Sequence, residues 1–228
     1  MAVFYYATNG DDWLQCSLDG SDKCGSNPPF NSKQRFLSDI SECDWAGITC
    51  NMDDCVTRIE FESNNITGTI ATEIGLLKDL VFLGMEDGGL TSTIPTELGG
   101  LTNLSIIDFD YNELSGSIPA QLYLLTDLVQ LDLNDNELTG NIDDIGVFLD
   151  LEFLQLQNNQ FTGTIPDDIM GDLSRMRVLN LHGNMLDTTQ AMPESVCARL
   201  FENGGFLTSL IVDCGITCSC CTSCLDKE

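Results

Sequence analysis

Basic residues are scarce in this sequence: nine Lys plus Arg stand against 36 Asp plus Glu over 228 residues, a formal charge of −27. Phosphate recognition needs cationic side chains, so this balance excludes nucleic acid and anionic membrane surfaces as partners. Long apolar runs are missing as well. No stretch reaches the roughly 18 apolar residues of a membrane-spanning helix. The opening Met1-Ala2-Val3-Phe4-Tyr5-Tyr6 has neither a basic leader nor a small-residue cleavage site, so the chain reads as a trimmed mature segment without direct membrane insertion. Histidine occurs once, at His182, which leaves acid–base chemistry to that ring or to a carboxylate of raised pKa. Cysteine is absent from a central stretch of about 140 residues.

What is present starts with a 43% hydrophobic content, enough for a core. Eleven cysteines flank the cysteine-free middle. Cys16, Cys24, Cys43, Cys50 and Cys55 precede Val56, and Cys197, Cys214, Cys218, Cys220, Cys221 and Cys224 follow Glu194. A zinc cluster would draw on separated ligand pairs and often a histidine, neither of which is evident, so disulfides and an oxidising compartment are expected. Two glycosylation acceptors, Asn65-Ile66-Thr67 and Asn103-Leu104-Ser105, agree with a secreted or cell-surface protein.

The middle of the chain repeats itself. Ile59-Glu60-Phe61-Glu62-Ser63-Asn64 is echoed by Ile107-Asp108-Phe109-Asp110-Tyr111-Asn112. An asparagine column, Asn64, Gly88, Asn112, Asn136, Asn159 and Asn184, has spacings of 24, 24, 24, 23 and 25 and marks six units. Alternating apolar residues such as Leu131 and Leu133 predict one short buried strand face per unit, parallel to its neighbours, and stacking buries what one unit cannot bury alone. The inward asparagine is expected to satisfy backbone groups in the turn leaving each strand, with Gly88 interrupting the ladder. Thr67-Gly68, Ser115-Gly116, Thr139-Gly140 and Thr162-Gly163 suit a tight turn and a short extended piece, which Pro95, Pro119 and Pro166 then hold.

The unit reads L-x-x-L-x-L-x-x-N-x-L-x-G-x-I-P, best seen from Leu151 to Pro166, and in this it resembles the plant-type extracellular leucine-rich repeat family over roughly residues 53 to 193. The resemblance implies an α/β repeat: a right-handed leucine-rich repeat solenoid with a parallel β-sheet on its concave face and disulfide-bonded caps. The implied division is a cap at 1–55, six repeats of about 24 residues at 56–193, and a cysteine-rich cap at 194–228. Cys43-Asp44-Trp45-Ala46-Gly47-Ile48-Thr49-Cys50 looks like that family's N-terminal cap and implies a Cys43–Cys50 bridge. Tyr6-Ala7-Thr8-Asn9-Gly10-Asp11-Asp12-Trp13 resembles the cap opening of algal, diatom-like members, with Cys16 paired to Cys24 and Cys55 left as a free buried thiol. At the far end Leu207–Asp213 reads as one more strand and Cys214–Cys224 as a stapled loop, whose six cysteines, counting Cys197, allow 15 connectivities.

Candidate ligand-binding residues are those that alternate with the buried leucines on the concave strands. In the first four units these columns hold Glu60, Glu62, Ser63; Gly84, Glu86, Asp87; Asp108, Asp110, Tyr111; and Asp132, Asn134, Asp135, eight of twelve being acidic. The last two units hold Gln155, Gln157, Asn158 and Asn180, His182, Gly183, with no acid. A flanking column, Arg58, Phe82, Ile106, Gln130, Phe153 and Val178, adds an apolar edge of the kind that anchors peptides or glycans. From Asp79 to Ser174 there are 18 acids and no Lys or Arg. A protein or glycan partner with a basic surface is the expectation, and an acidic surface serving only solubility is its bland competitor.

Asp108-x-Asp110-x-Asn112 imitates the start of a calcium loop but lacks its later Gly and Glu, so no metal site or cofactor is expected beyond weak interstrand calcium binding. The acid pair Glu86 and Asp110 is expected to stay solvated, with little to separate its pKa values, so no catalytic residue is expected. The resulting reading is a non-enzymatic recognition or adhesion module, in the manner of a receptor ectodomain. Resemblance to the plant inhibitors of cell-wall-degrading pectinases supplies one alternative, and a calcium-bridged wall or matrix component another.

Overall fold

The structure is a computed structural model that describes residues 1–14, 37, 39, 41–165, 175–200 and 206–225. The expected Cys16–Cys24 pair and Pro166 lie outside the described residues. Within them one nine-stranded sheet runs through Ile48–Cys50, Val56–Glu62, Phe82–Glu86, Ile106–Asp108, Gln130–Asp132, Phe153–Gln155, Val178–Asn180, Ser209–Asp213 and Ser223–Leu225, in that order. Only the first pair is antiparallel; the others are parallel. Each strand sends its alternate apolar residues inward, as with Ile107 and Phe109, Leu131 and Leu133, and Leu154 and Leu156, which are buried. That is the period-two pattern of a half-buried strand repeated once per unit.

The asparagine column forms the ladder that the repeat implies. Asn136 accepts from the Leu114 amide at 2.9 Å and donates to the carbonyls of Phe109, Leu133 and Asn134 at 2.9, 3.2 and 3.1 Å. Asn112, one unit before, and Asn159 and Asn184, one and two units after, make the same set. Each amide ties its own turn to the preceding unit. Gly88 supplies none of these bonds, and a Cβ there would lie 2.6 Å from the Ile66 carbonyl oxygen.

On the opposite side short 3₁₀ turns, Thr72–Leu76, Thr96–Gly100, Leu122–Leu124 and Ile145–Val147, bury Ile74, Leu98, Leu122 and Ile145 against the same core. Successive turns nearly touch at Gly99, where a Cβ would stand 2.2 Å from the Gln121 carbonyl oxygen. Gly99→Ala is therefore expected to destabilise the fold by about 1–3 kcal/mol through overpacking, read by urea denaturation. Unchanged stability would mean that adjacent turns can spread.

Two features were not legible in the sequence. The segments around the Thr-Gly-x tripeptides lie in small sheets of their own, Thr67–Thr69 with Gly89–Thr91, and Ser115–Ser117, Glu137–Gly140, Gln160–Gly163 and Met185–Leu186 in a row. Their central glycines, Gly68, Gly116, Gly140 and Gly163, have φ between 77° and 92°, and Ser92 takes the same left-handed conformation at 76°. The terminal segment read as a loop also contains a strand, Ser223–Leu225, which pairs with Ile211–Asp213 and extends the main sheet.

The caps close both ends. The helix Ala2–Ala7 brings Phe4 onto Trp13 and Phe61, with ring centroids 5.8 and 5.6 Å away, and the Trp13 indole donates to the Thr8 carbonyl at 3.0 Å. Cys43 and Cys50 are bridged, as the resemblance implies. The C-terminal pairs are Cys197–Cys220, Cys214–Cys224 and Cys218–Cys221. Cys55 is free, but the expectation of burial is corrected: it is partly exposed, because Val56 takes the inward position where the first repeat strand begins.

Candidate functional site

The parallel register lines up the predicted columns. Glu60, Gly84, Asp108, Asp132, Gln155 and Asn180 stand side by side, as do Arg58, Phe82, Ile106, Gln130, Phe153 and Val178. Glu62 pairs with Glu86 in the next column. Backbone bonds from Tyr111 to Asn134, Asp135 to Gln157 and Asn158 to His182 carry that side of the sheet onward.

Not all of these acids face water. Asp132 is 3% exposed and Asn134 4%, which corrects the expectation that both project into solvent. Neighbouring concave side chains cover them. Asp132 accepts from Asn134 Nδ2 and from Gln155 Nε2, and Asn134 Nδ2 also reaches Asp110 Oδ2 at 3.5 Å. Gln130 Nε2 donates to Asp108 Oδ2 at 3.1 Å, and Asn158 Nδ2 to Asp135 Oδ1 at 2.8 Å. Side-chain amides in adjacent units thus relieve part of the acidic field, a role the sequence reading did not give to Gln130, Asn134 or Asn158. Their positions in the same columns were the available signal.

At the other end the Arg58 guanidinium pairs with Glu60 at 2.5 and 2.9 Å and lies 3.3 Å from the Phe82 ring centroid. Phe82 and Phe153 are half-buried on the apolar edge. His182 is half-buried too, its Nδ1 2.6 Å from Asn180 Oδ1. Asp213, outside the predicted columns, accepts from the Gly183 amide at 2.8 Å and closes the far end of the face. The two glycosylation acceptors are exposed, and their amides donate to the Asp12 and Lys78 carbonyls at 3.0 and 2.9 Å.

Between the arginine and the amides lies a concavity of about 360 Å³ lined by Glu62, Ser63, Glu86, Asp87, Asp110 and Tyr111. Tyr111 is 56% exposed at its rim, and Ser63 Oγ donates to Asp87 Oδ2 at 2.6 Å. Glu86, Asp108 and Asp110 bring one carboxylate oxygen each to within 4.8 Å of one another, a spacing that could hold a cation. Asp108 Oδ1 is buried without a hydrogen-bond partner among the described residues.

The expectation of solvated, unshifted carboxyls is also corrected. Burial first, then the charge of Asp110, pushes Glu86 up to about 7. Burial and the charge of Asp132 push Asp108 up to about 8 and Asp110 up to about 6. Burial raises Asp132 as well, against the amides of Asn134 and Gln155 that lower it. Desolvation and like charge act together here, each disfavouring the ionised form.

The sequence profile of the Leucine Rich Repeat family matches residues 150–171. Leucine-rich repeat protein 1 of Arabidopsis thaliana is 39% identical over 44 residues, 19% of this chain and 20% of that protein, so the match spans a fifth of its length. Among solved structures, the leucine-rich repeat ectodomain of the receptor kinase SOBIR1 from Arabidopsis thaliana is 30% identical with a TM-score of 0.61, covering 66% of this chain and 86% of that one. A plant ice-binding protein is 27% identical with a TM-score of 0.67, covering 78% of this chain and 55% of that one.

Proposed function

From its membership of the plant-type leucine-rich repeat family, to which this chain belongs, we propose that it is an extracellular recognition module resembling a receptor ectodomain, whose concave face takes a basic segment of a protein partner. The concavity over Glu62, Glu86, Asp87 and Asp110 carries the reading. Arg58 relieves Glu60 on one side of it and Gln130 and Gln155 relieve Asp108 and Asp132 on the other, while here four carboxyl groups and Tyr111 surround space large enough for Lys or Arg side chains. Bringing such a cation in would restore ionisation to carboxyls that burial keeps partly protonated, so attraction and proton release are coupled. The disulfide-bonded caps support a secreted or cell-surface setting.

The test is titration of a fluorescent oligoarginine peptide, with and without calcium, at two salt concentrations. Glu86→Gln with Asp110→Asn is expected to weaken binding at least tenfold and to flatten its salt dependence. Affinity that survives both substitutions would overturn the reading. Displacement of the peptide by calcium would assign the same carboxylates to a divalent cation in competition.

A second reading is ice binding, favoured by the likeness to a plant ice-binding protein and by the uncharged tripeptides at residues 67–69, 91–93, 115–117, 139–141 and 162–164. It is tested by inhibition of ice recrystallisation by the oxidised chain. Absence of inhibition would dismiss it.

A further inference from the structure

Resting on the reading of the concavity as a site for a basic segment, we propose that Tyr111 makes this site selective for arginine over lysine, its ring stacking on the guanidinium while Glu86 and Asp110 take the N–H edge.

The same face already holds one guanidinium. Arg58 Nε and Nη2 donate to the two carboxylate oxygens of Glu60 at 2.9 and 2.5 Å, and the group lies 3.3 Å from the ring centroid of Phe82 on the next strand. Two in-plane bonds to a carboxylate use the edge of the guanidinium, and the ring uses its face. The concavity offers both again. Glu86 and Asp110 have carboxylate oxygens within 4.8 Å of one another, Tyr111 follows Asp110 in the chain, and all three line the same space. Lysine presents a compact, strongly hydrated ammonium with no plane to lay against a ring and no fixed fork of donors.

Tyr111 stands in a column where the backbone turns left-handed in every unit. Ser63, Asp87, Tyr111, Asp135 and Asn158 have φ between 48° and 55°, and Gly183 has 69°. Asp, Asn and Gly tolerate this conformation, whereas a bulky ring does not favour it. The sheet holds it in place: the Tyr111 amide donates to the Asn134 carbonyl and its carbonyl accepts from the Gly88 amide, each at 3.1 Å. The polar members of the column satisfy one another, Ser63 with Asp87 and Asn158 with Asp135. Between these pairs the Tyr111 ring is 56% exposed, and its hydroxyl makes no hydrogen bond among the described residues. The charge of Asp135, then burial and the charges of Asp110, Asp132 and Asp87, push that hydroxyl above the ordinary phenol value. The ring therefore sits in the field of four carboxyl groups, where a cation over its face is attracted by ring and acids together.

The experiment titrates fluorescent oligoarginine and oligolysine of equal length against the oxidised parent, Tyr111→Gly, Tyr111→Phe and Glu86→Gln/Asp110→Asn, each protein first checked by a circular-dichroism melt. Gly183 already occupies this column, so Tyr111→Gly keeps a residue suited to the turn. The parent is expected to bind oligoarginine about fivefold tighter than oligolysine, the scale of one partly desolvated cation–π contact. Tyr111→Gly is expected to bring that ratio below about twofold, and Tyr111→Phe, which keeps the ring, to preserve it. Equal binding of the two peptides by the parent, with both weakened by Glu86→Gln/Asp110→Asn, would leave the basic-segment reading standing and overturn arginine selection. A preference that survives in Tyr111→Gly would assign it to the carboxyls and overturn the role of the ring. Absence of binding of either peptide to the parent would overturn the basic-segment reading itself, and this inference with it.

Discussion

Asn136→Ala is expected to lower the melting temperature by roughly 10 °C. Four hydrogen bonds end on this one amide, and its loss leaves the Leu114 amide and the carbonyls of Phe109, Leu133 and Asn134 inside the stack, where water has no access to replace it. An unsatisfied buried group costs about 1–3 kcal/mol, and with partial relaxation a total of about 3–5 kcal/mol is expected. In a protein of this size each kcal/mol moves the midpoint by about 2–4 °C. Because the bonds cross from one unit to the next, the variant is also expected to broaden the transition, as coupling between the two halves of a one-dimensional stack weakens. A melt within 2 °C of the parent would show that the ladder is ornamental to stability.

The same column explains why so much of the fold was legible. A residue type that recurs at one period, between leucines that also recur, leaves one way to stack, so Leu131, Leu133 and Asn136 in one unit and Leu154, Leu156 and Asn159 in the next announce strand, face and turn together. The C-terminal disulfides had no such redundancy. Six cysteines within Cys197–Cys224 are compatible with many pairings, and the three formed depend on where the strands Ser209–Asp213 and Ser223–Leu225 bring them. The Thr-Gly-x strands stayed hidden because glycine at their centres removes the side-chain alternation by which strands are recognised. At the candidate site the columns were read correctly as sequence, while burial was misjudged. Facing outward on a strand does not mean facing water when Gln155 and Asn134 lie across Asp132 from both sides.

That misjudged burial has a measurable consequence: the protein is expected to be more stable at pH 5 than at pH 8. Glu86 is pushed up to about 7, Asp108 to about 8 and Asp110 to about 6 in the folded chain, whereas in the unfolded chain such groups titrate near the ordinary carboxylate value of about 4. Between pH 4 and 8 the folded state therefore holds protons that the unfolded state has released, and stability falls as pH rises through that window. After discounting for the solvent that still reaches these side chains, about 1–3 kcal/mol is lost, or several degrees of melting temperature. Asp108→Asn removes the most strongly raised carboxyl while keeping an oxygen for Gln130 Nε2, so it is expected to raise the melting temperature at pH 8, leave it unchanged near pH 4 and flatten the profile between. Asp127→Asn, at an exposed position, changes net charge by the same amount and separates this local effect from general repulsion in a −27 chain. A parent profile that rises toward pH 8, or equal gains from the two substitutions, would overturn the argument. The same carboxylates that weaken the fold on ionising are the ones a basic segment would neutralise, so oligoarginine affinity should climb over the interval in which stability falls.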